Sequence, residues 1–236
     1  MLDAQQLTGR ARTHVRDLAE FRCAMHVDVV APFMRMRAAA AADGIDLVPA
    51  SAFRDFERQR NIWNSKYSGE RPLQDRNGRP LSVNALSSAE KIEAILWWSA
   101  LPGASRHHWG TDCDVYDRAA LPIGTKLRLE SDEYAPGGPF AKLDAWLTQH
   151  AAEHGFFRPY ATLRDGVSPE PWHLSYAPLA ERCVAALTVD VLAEALRSAA
   201  AQGSAVSGDA ELLPHLPALH RRFVAAYDVP PENLTA

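Results

Sequence analysis

Cysteine is scarce: only Cys23, Cys113 and Cys183 occur in 236 residues, an odd and scattered set that excludes a disulfide framework. No stretch is apolar for long enough to span a bilayer, so membrane insertion is excluded as an expectation. The start, Met1-Leu2-Asp3-Ala4-Gln5-Gln6, lacks the basic residues and apolar run of a secretory signal. The chain as written is therefore expected in the cytoplasm, or in the periplasm if it has been trimmed. Its 25 lysines and arginines are outnumbered by 29 aspartates and glutamates, for a net charge of −4. Without a basic footprint, nucleic acid is not an expected partner. An internal repeat, a phosphate-binding glycine loop and a nucleophile elbow are also missing, so serine or cysteine nucleophilic catalysis has no supporting constellation.

What is present is enough apolar material, 47% of the chain, to bury a proper core. The first twenty residues read as a charged helix. Apolar residues from Val27 to Asp43 follow helical spacing, with Pro32 in the first turn and Gly44 as the stop. Ile45 to Pro49 reads as a strand, Asp55 to Tyr67 as a helix, and Ser65 to Asn84 as a polar loop long enough to form a substrate-facing lid. Further helices are expected over Ser88–Ala100 and Phe140–His154, with strands at Phe156-Phe157 and Trp172–Tyr176. Past Ala177 the texture changes, and Val184 to Ala201 is alanine-rich and helical. A flexible linker follows over Gly203–Gly208, then a helical segment from Glu211 to Tyr227 interrupted by Pro214 and Pro217. The expected fold is α+β: a small antiparallel sheet flanked by helices, with an N-terminal helical extension over 1–24, a core domain over 25–180 and a C-terminal helical extension over 181–236.

Two segments carry chemistry. One is Ser105-Arg106-His107-His108-Trp109-Gly110-Thr111-Asp112-Cys113-Asp114; the other is Glu170-Pro171-Trp172-His173. Imidazole and carboxylate are natural zinc ligands, and a catalytic zinc takes three protein ligands while leaving one tetrahedral position for water. A carboxylate beside that water, not ligating the metal, serves as general base, and Glu170 is the candidate. Alternation along Trp172–Tyr176 puts Trp172, Leu174 and Tyr176 on one face and His173 on the other. The segment from Thr111 to Asp117 alternates too, so Asp112 and Asp114 share a face; spacing does not choose between them, nor between His107 and His108. Cys113, on the opposite face, reads as a small core residue.

The pattern Ser105-x-His107-x-x-Gly110-x-x-x-Asp114, followed by Glu170-x-Trp172-His173, resembles the zinc D-alanyl-D-alanine carboxypeptidases of the VanY type. The upstream block Ser51-Ala52-Phe53-Arg54-Asp55-Phe56-Glu57-Arg58-Gln59 resembles that family's Ser-x-Tyr-Arg-Ser-x-x-x-Gln, with Phe53 in place of tyrosine and Asp55 in place of serine. Three blocks in the right order make the likeness specific. It implies a Hedgehog/DD-peptidase-like fold, one Zn2+ per chain on His107, Asp114 and His173, Glu170 as general base, and Arg54 facing the scissile carbonyl. It also implies a peptidoglycan-derived peptide as substrate. Gln59 and Ser105 are candidates for holding the terminal carboxylate, and Trp172 for packing, substrate contact or both. Asp55 adds a negative charge that competes for Arg54 or repels an acidic group. The remaining histidines, His14, His26, His150, His154, His215 and His220, are assigned no role, while Asp112 and Asp117 read as a capping or strand-end pair. The same metal site also suits an L,D-carboxypeptidase or a peptidoglycan endopeptidase. A zinc-stabilised binding module without turnover is the alternative from another class.

Overall fold

Side-chain caps start several helices of this protein, in a computed structural model that describes residues 1–234. Asp3 and Gln6 close a capping box on α1 (Ala4–Leu7). The Asp55 carboxylate accepts the Arg58 N–H at 2.7 Å and opens α3 (Phe56–Ser68). Ser87 and Glu90 box α4 (Ser88–Leu96), and Thr188 caps α8 (Val189–Ala201). Each cap satisfies backbone donors that the first helical turn leaves free. The other helices are α2 (Val30–Ala42), α5 (Ser131–Tyr134), α6 (Ala141–His150), α7 (Ala177–Ala186) and α9 (Asp209–Phe223).

The strands are β1 (Val15–Leu18), β2 (Cys23–His26), β3 (Leu47–Ser51), β4 (Leu73–Gln74), β5 (Pro80–Leu81), β6 (Asp112–Asp117), β7 (Phe156–Phe157) and β8 (His173–Tyr176). The central sheet has the order β3-β6-β8-β7, with every pair antiparallel. Its register sets the site: Asp114 lies opposite Ser51 on one side and His173 on the other, and Asp112 lies opposite Ser175. Strand alternation then sorts the faces. Cys113, Val115 and Leu174 join Phe33, Met36, Leu143 and Phe156 in a core behind the sheet, while Asp112, Asp114, His173 and Ser175 lie on the other face. A second core, containing Leu7, Trp63, Ile95, Leu187, Leu192 and Leu212, joins α1, α3 and α4 to the C-terminal helices.

Several expectations change. Helix in the first twenty residues is confined to Ala4–Leu7, and β1 and β2 form a hairpin closed by Arg22 at φ 53°. Ser65–Asn84 is not a bare loop. Helix α3 runs through its start, and the short β4–β5 hairpin is pinned by buried Leu73 and by the Trp98 indole N–H donating to Asp75 O. The expected helix from Val184 to Ala201 is two helices, α7 and α8, broken at the Thr188 cap. The Gly203–Gly208 linker is packed down: Val206 is buried, Trp63 Nε1 donates to Ser207 O, and Asn64 accepts the Ser207 N–H. Helix α9 is continuous through Pro214 and Pro217.

Candidate active site

A 3-10 turn, Arg106–Trp109, delivers two histidines from the end of a loop to the start of β6. Backbone bonds tie this turn to the arginine block: Arg54 N donates to His107 O at 3.1 Å, and His108 Nδ1 lies 2.6 Å from Arg54 O. His108 Nε2 accepts the Gly103 N–H at 3.1 Å. The fully buried His108 ring therefore carries its proton on Nδ1 and works as a staple, and burial holds its pKa down at about 3. Of the two adjacent histidines, only His107 turns to the sheet.

His107 Nδ1 sits 2.7 Å from Ala52 O, which fixes the proton there and leaves Nε2 as a lone pair 3.4 Å from Asp114 Oδ2. His173 is oriented the opposite way. Its Nε2 lies 3.1 Å from Asp112 Oδ1, and its Nδ1 lies 3.3 Å from Asp114 Oδ1 and 3.1 Å from Glu170 Oε2. One donor atom from each of His107, Asp114 and His173 fits within 4.8 Å of the others, and all three residues are buried. Asp114 Oδ1 is buried with no hydrogen-bond donor. Two imidazole nitrogens and an under-satisfied carboxylate around one point are a donor set that fits zinc, with both ring orientations set by outer hydrogen bonds.

The charges agree. Burial alone would raise the Asp114 carboxyl, but His107 and His173 hold it far below the usual carboxylate range. Burial alone would lower His173, yet its hydrogen bond to Asp112 and the Asp114 and Glu170 carboxylates beside it hold it well above the usual histidine value. Three carboxylates around one ring invite a cation, whether a proton or a metal ion.

Arg54 also reaches the cluster. Its Nη2 lies 4.0 Å from Asp114 Oδ2 and 3.2 Å from Ser51 Oγ, and its Nη1 donates to Gln59 Oε1 at 2.7 Å. Asp55, occupied by the cap on α3, leaves this guanidinium alone. Gln59 is fully buried, and its other end donates to Ala100 O at 2.7 Å, so its amide orients Arg54 and is not presented to a ligand. Ser105 is 2% exposed where the 3-10 turn begins. Trp172 packs in the core behind the sheet with its ring 5.7 Å from Tyr134, on the opposite face from His173. Gln59 thus lies behind Arg54, and Trp172 takes the packing place among those expected of it.

Sequence reasoning missed the layer beneath the candidate ligands. Asp112, read as a strand-end cap, is buried and accepts from Arg106 Nε at 2.8 Å as well as from His173. Arg106 also donates to Ser175 Oγ at 2.7 Å, and its guanidinium lies about 5.0 Å from the Trp109 and Tyr227 rings. The Tyr160 ring meets the His173 ring edge-on at 5.0 Å, and Tyr160 O accepts the Glu170 N–H. The shared strand face of Asp112 and Asp114 was the available signal. Nothing in the sequence marked Arg106 or Tyr160.

The D-alanyl-D-alanine carboxypeptidase family, VanY, matches residues 22–179. The chain belongs to this family. A Haemophilus influenzae protein is 44% identical over 103 residues, which is 42% of this chain and 70% of that relative. A D-alanyl-D-alanine carboxypeptidase of Enterococcus faecalis is 27% identical over 141 residues, 58% of this chain and 42% of its own length. Among solved structures, VanYB in complex with D-alanine-D-alanine superposes with a TM-score of 0.51 at 23% identity, covering 75% of this chain and 84% of VanYB. A VanY mutant in complex with Zn(II) gives 0.50 at 22% identity over the same shares. The VanY fold, the metallopeptidase class and the zinc-type donor set expected from the sequence therefore stand.

Proposed function

We propose that this VanY-family protein is a zinc-dependent carboxypeptidase that removes the terminal D-alanine from peptidoglycan-type peptides, with His107, Asp114 and His173 as ligands, Glu170 as general base and Arg54 as oxyanion partner. The observation that carries this reading is the meeting of the three ligand side chains with Glu170, 3.1 Å from His173, and Arg54, 4.0 Å from Asp114. A relative that bears the activity's name and a similar fold solved with D-alanine-D-alanine support the substrate class.

Zinc on the three ligands supplies Lewis-acid polarisation of the scissile carbonyl. The chain's own residues do the rest. Glu170, at the entrance to β8, takes the proton of the attacking water and passes it to the departing amine. Arg54, held by Gln59 and Ser51, places a fixed guanidinium where negative charge develops on the carbonyl oxygen; a preorganised donor of this kind contributes about 3–4 kcal/mol. Asp112 keeps the Nε2 proton of His173 in place, so that Nδ1 presents its lone pair. A binding module without turnover has no need of Glu170 and Arg54 in these positions.

The test pairs kinetics with metal analysis. Glu170→Ala is expected to keep about one zinc per chain while hydrolysis falls by roughly 10²–10⁴. Arg54→Ala keeps the metal and loses about 10²–10³ in rate. An active Glu170→Ala enzyme, or zinc loss in the Arg54 variant, contradicts the assigned roles.

A further inference from the structure

A carboxypeptidase must sense the free end of its substrate, and Arg54, committed to the scissile carbonyl in the reading above, leaves that task to another cation. Gln59, Trp63 and Lys66 follow one another at helical spacing along α3, so they share a face. Gln59 reaches across to Ala100 O, and Lys66 Nζ donates to Ser99 Oγ at 2.7 Å. Lys66 therefore stands on the same wall as the Arg54–Gln59 pair, within the electrostatic reach of Glu170 and Arg54.

The Lys66 ammonium is unfinished. It has three N–H donors, and the Ser99 hydroxyl occupies one. Among the described residues it has no carboxylate within 4.0 Å, and the acidic group whose charge acts on it, Glu170, is paired with His173. Burial pushes its pKa down to about 8. A desolvated ammonium without a counter-ion is unfavourable, so an anion from outside the chain is the missing partner. The adjoining wall has the same character. Ser168, two residues before Glu170, donates its N–H to Trp97 O, yet Ser168 Oγ and Trp97 Nε1 are buried and without partners.

We propose that Lys66, positioned by Ser99, binds the α-carboxylate of the substrate's C-terminal residue and so determines specificity for a free chain end. This rests on the carboxypeptidase reading, and the experiment separates the two. Binding of N-acetyl-D-Ala-D-Ala and of its C-terminal amide is measured by calorimetry on zinc-loaded Glu170→Gln protein, in which turnover is removed. The acid is expected to bind roughly 30-fold or more tightly than the amide. Adding Lys66→Met abolishes that preference by weakening the acid alone, while Lys66→Arg retains most of it; zinc content and melting temperature serve as folding controls. Equal affinity for acid and amide, no binding of either, or a Lys66→Met effect of the same size on both overturns the proposal. Release of D-alanine from the acid by the protein with Glu170 intact tests the carboxypeptidase reading separately. Acid preference without release sinks that reading and leaves Lys66 as an anion-recognition residue; release without acid preference sinks Lys66 alone.

Discussion

His107 and His173 each commit one ring nitrogen to the protein and present the other, and that choice of tautomer comes from Ala52 O and Asp112. Removing the second of these partners should be felt at the metal. Asp112→Asn is expected to weaken zinc affinity about 10–100-fold in chelator competition, because the anionic acceptor that fixes and polarises the His173 ring becomes a neutral amide. The same change strands the fully buried Arg106, and breaking a buried ion pair costs about 3–5 kcal/mol in denaturant unfolding. Unchanged zinc affinity would remove Asp112 from the site. A pH effect follows from His173. Its folded pKa in the metal-free protein lies well above the ordinary 6.5, so its imidazolium stabilises the fold fully below that value, and the contribution fades as pH rises through the folded pKa. Zinc needs the neutral ring and must displace that proton, so apparent affinity should rise about tenfold per pH unit over this range. Melting curves with and without zinc check the sign: the gain in Tm grows from about pH 6 to about pH 8, and a shrinking gain contradicts it.

The 3-10 turn, the hairpin and the sheet meet at one glycine. Gly110 ends the turn at φ 67°, and its carbonyl accepts the His26 N–H at 2.8 Å. A Cβ there would lie 2.7 Å from His26 N and from Val15 Cγ1, in a backbone region that L-residues avoid. Gly110→Ala is expected to cost about 1–3 kcal/mol, lowering Tm by roughly 2–4 °C per kcal/mol and loosening β1–β2 from the metal turn. A variant that melts with the wild type would show that the hairpin is not coupled to the turn. Sequence reading met its limit at this same scale. Val15–Leu18 and Cys23–His26 show no clean two-residue alternation, having burial patterns of partly buried ends around exposed residues and of three buried residues in a row. Their pairing depends on contacts with the turn, which periodicity does not encode.

The C-terminal helices are built into the molecule as a whole. Leu192, Leu196, Leu212 and Leu216 share a core with Trp63 of α3 and Ile95 of α4, and Tyr227 covers the Arg106 guanidinium that supports Asp112. The tail thus stands behind the proposed metal ligands, separated from His173 by Arg106 and Asp112. Leu212→Ala, at a fully buried position, is expected to cost about 2–5 kcal/mol. Since the core is shared, calorimetry should show one transition moving to lower temperature; two separate transitions would mean that tail and peptidase core unfold independently. Among the described residues no helix is long and apolar enough to cross a membrane.

The sequence by itself determined the elements whose cause is local. Alternation assigned Cys113 to the core and the two aspartates to one face of β6, the Asp55 and Ser87 caps stand where α3 and α4 begin, and the motif blocks marked the proposed ligands, Glu170 and Arg54. Only the tertiary structure decided which side-chain atoms face one another. That Gln59 turns to Arg54, that Asp112 supports His173, and that Lys66 is left without a counter-ion beside Glu170 depend on register and on helix packing between residues far apart in the chain. Local propensity is blind to such pairings, because the free energy that selects them comes from burial and charge complementarity that exist only once the sheet and the helices have closed on each other.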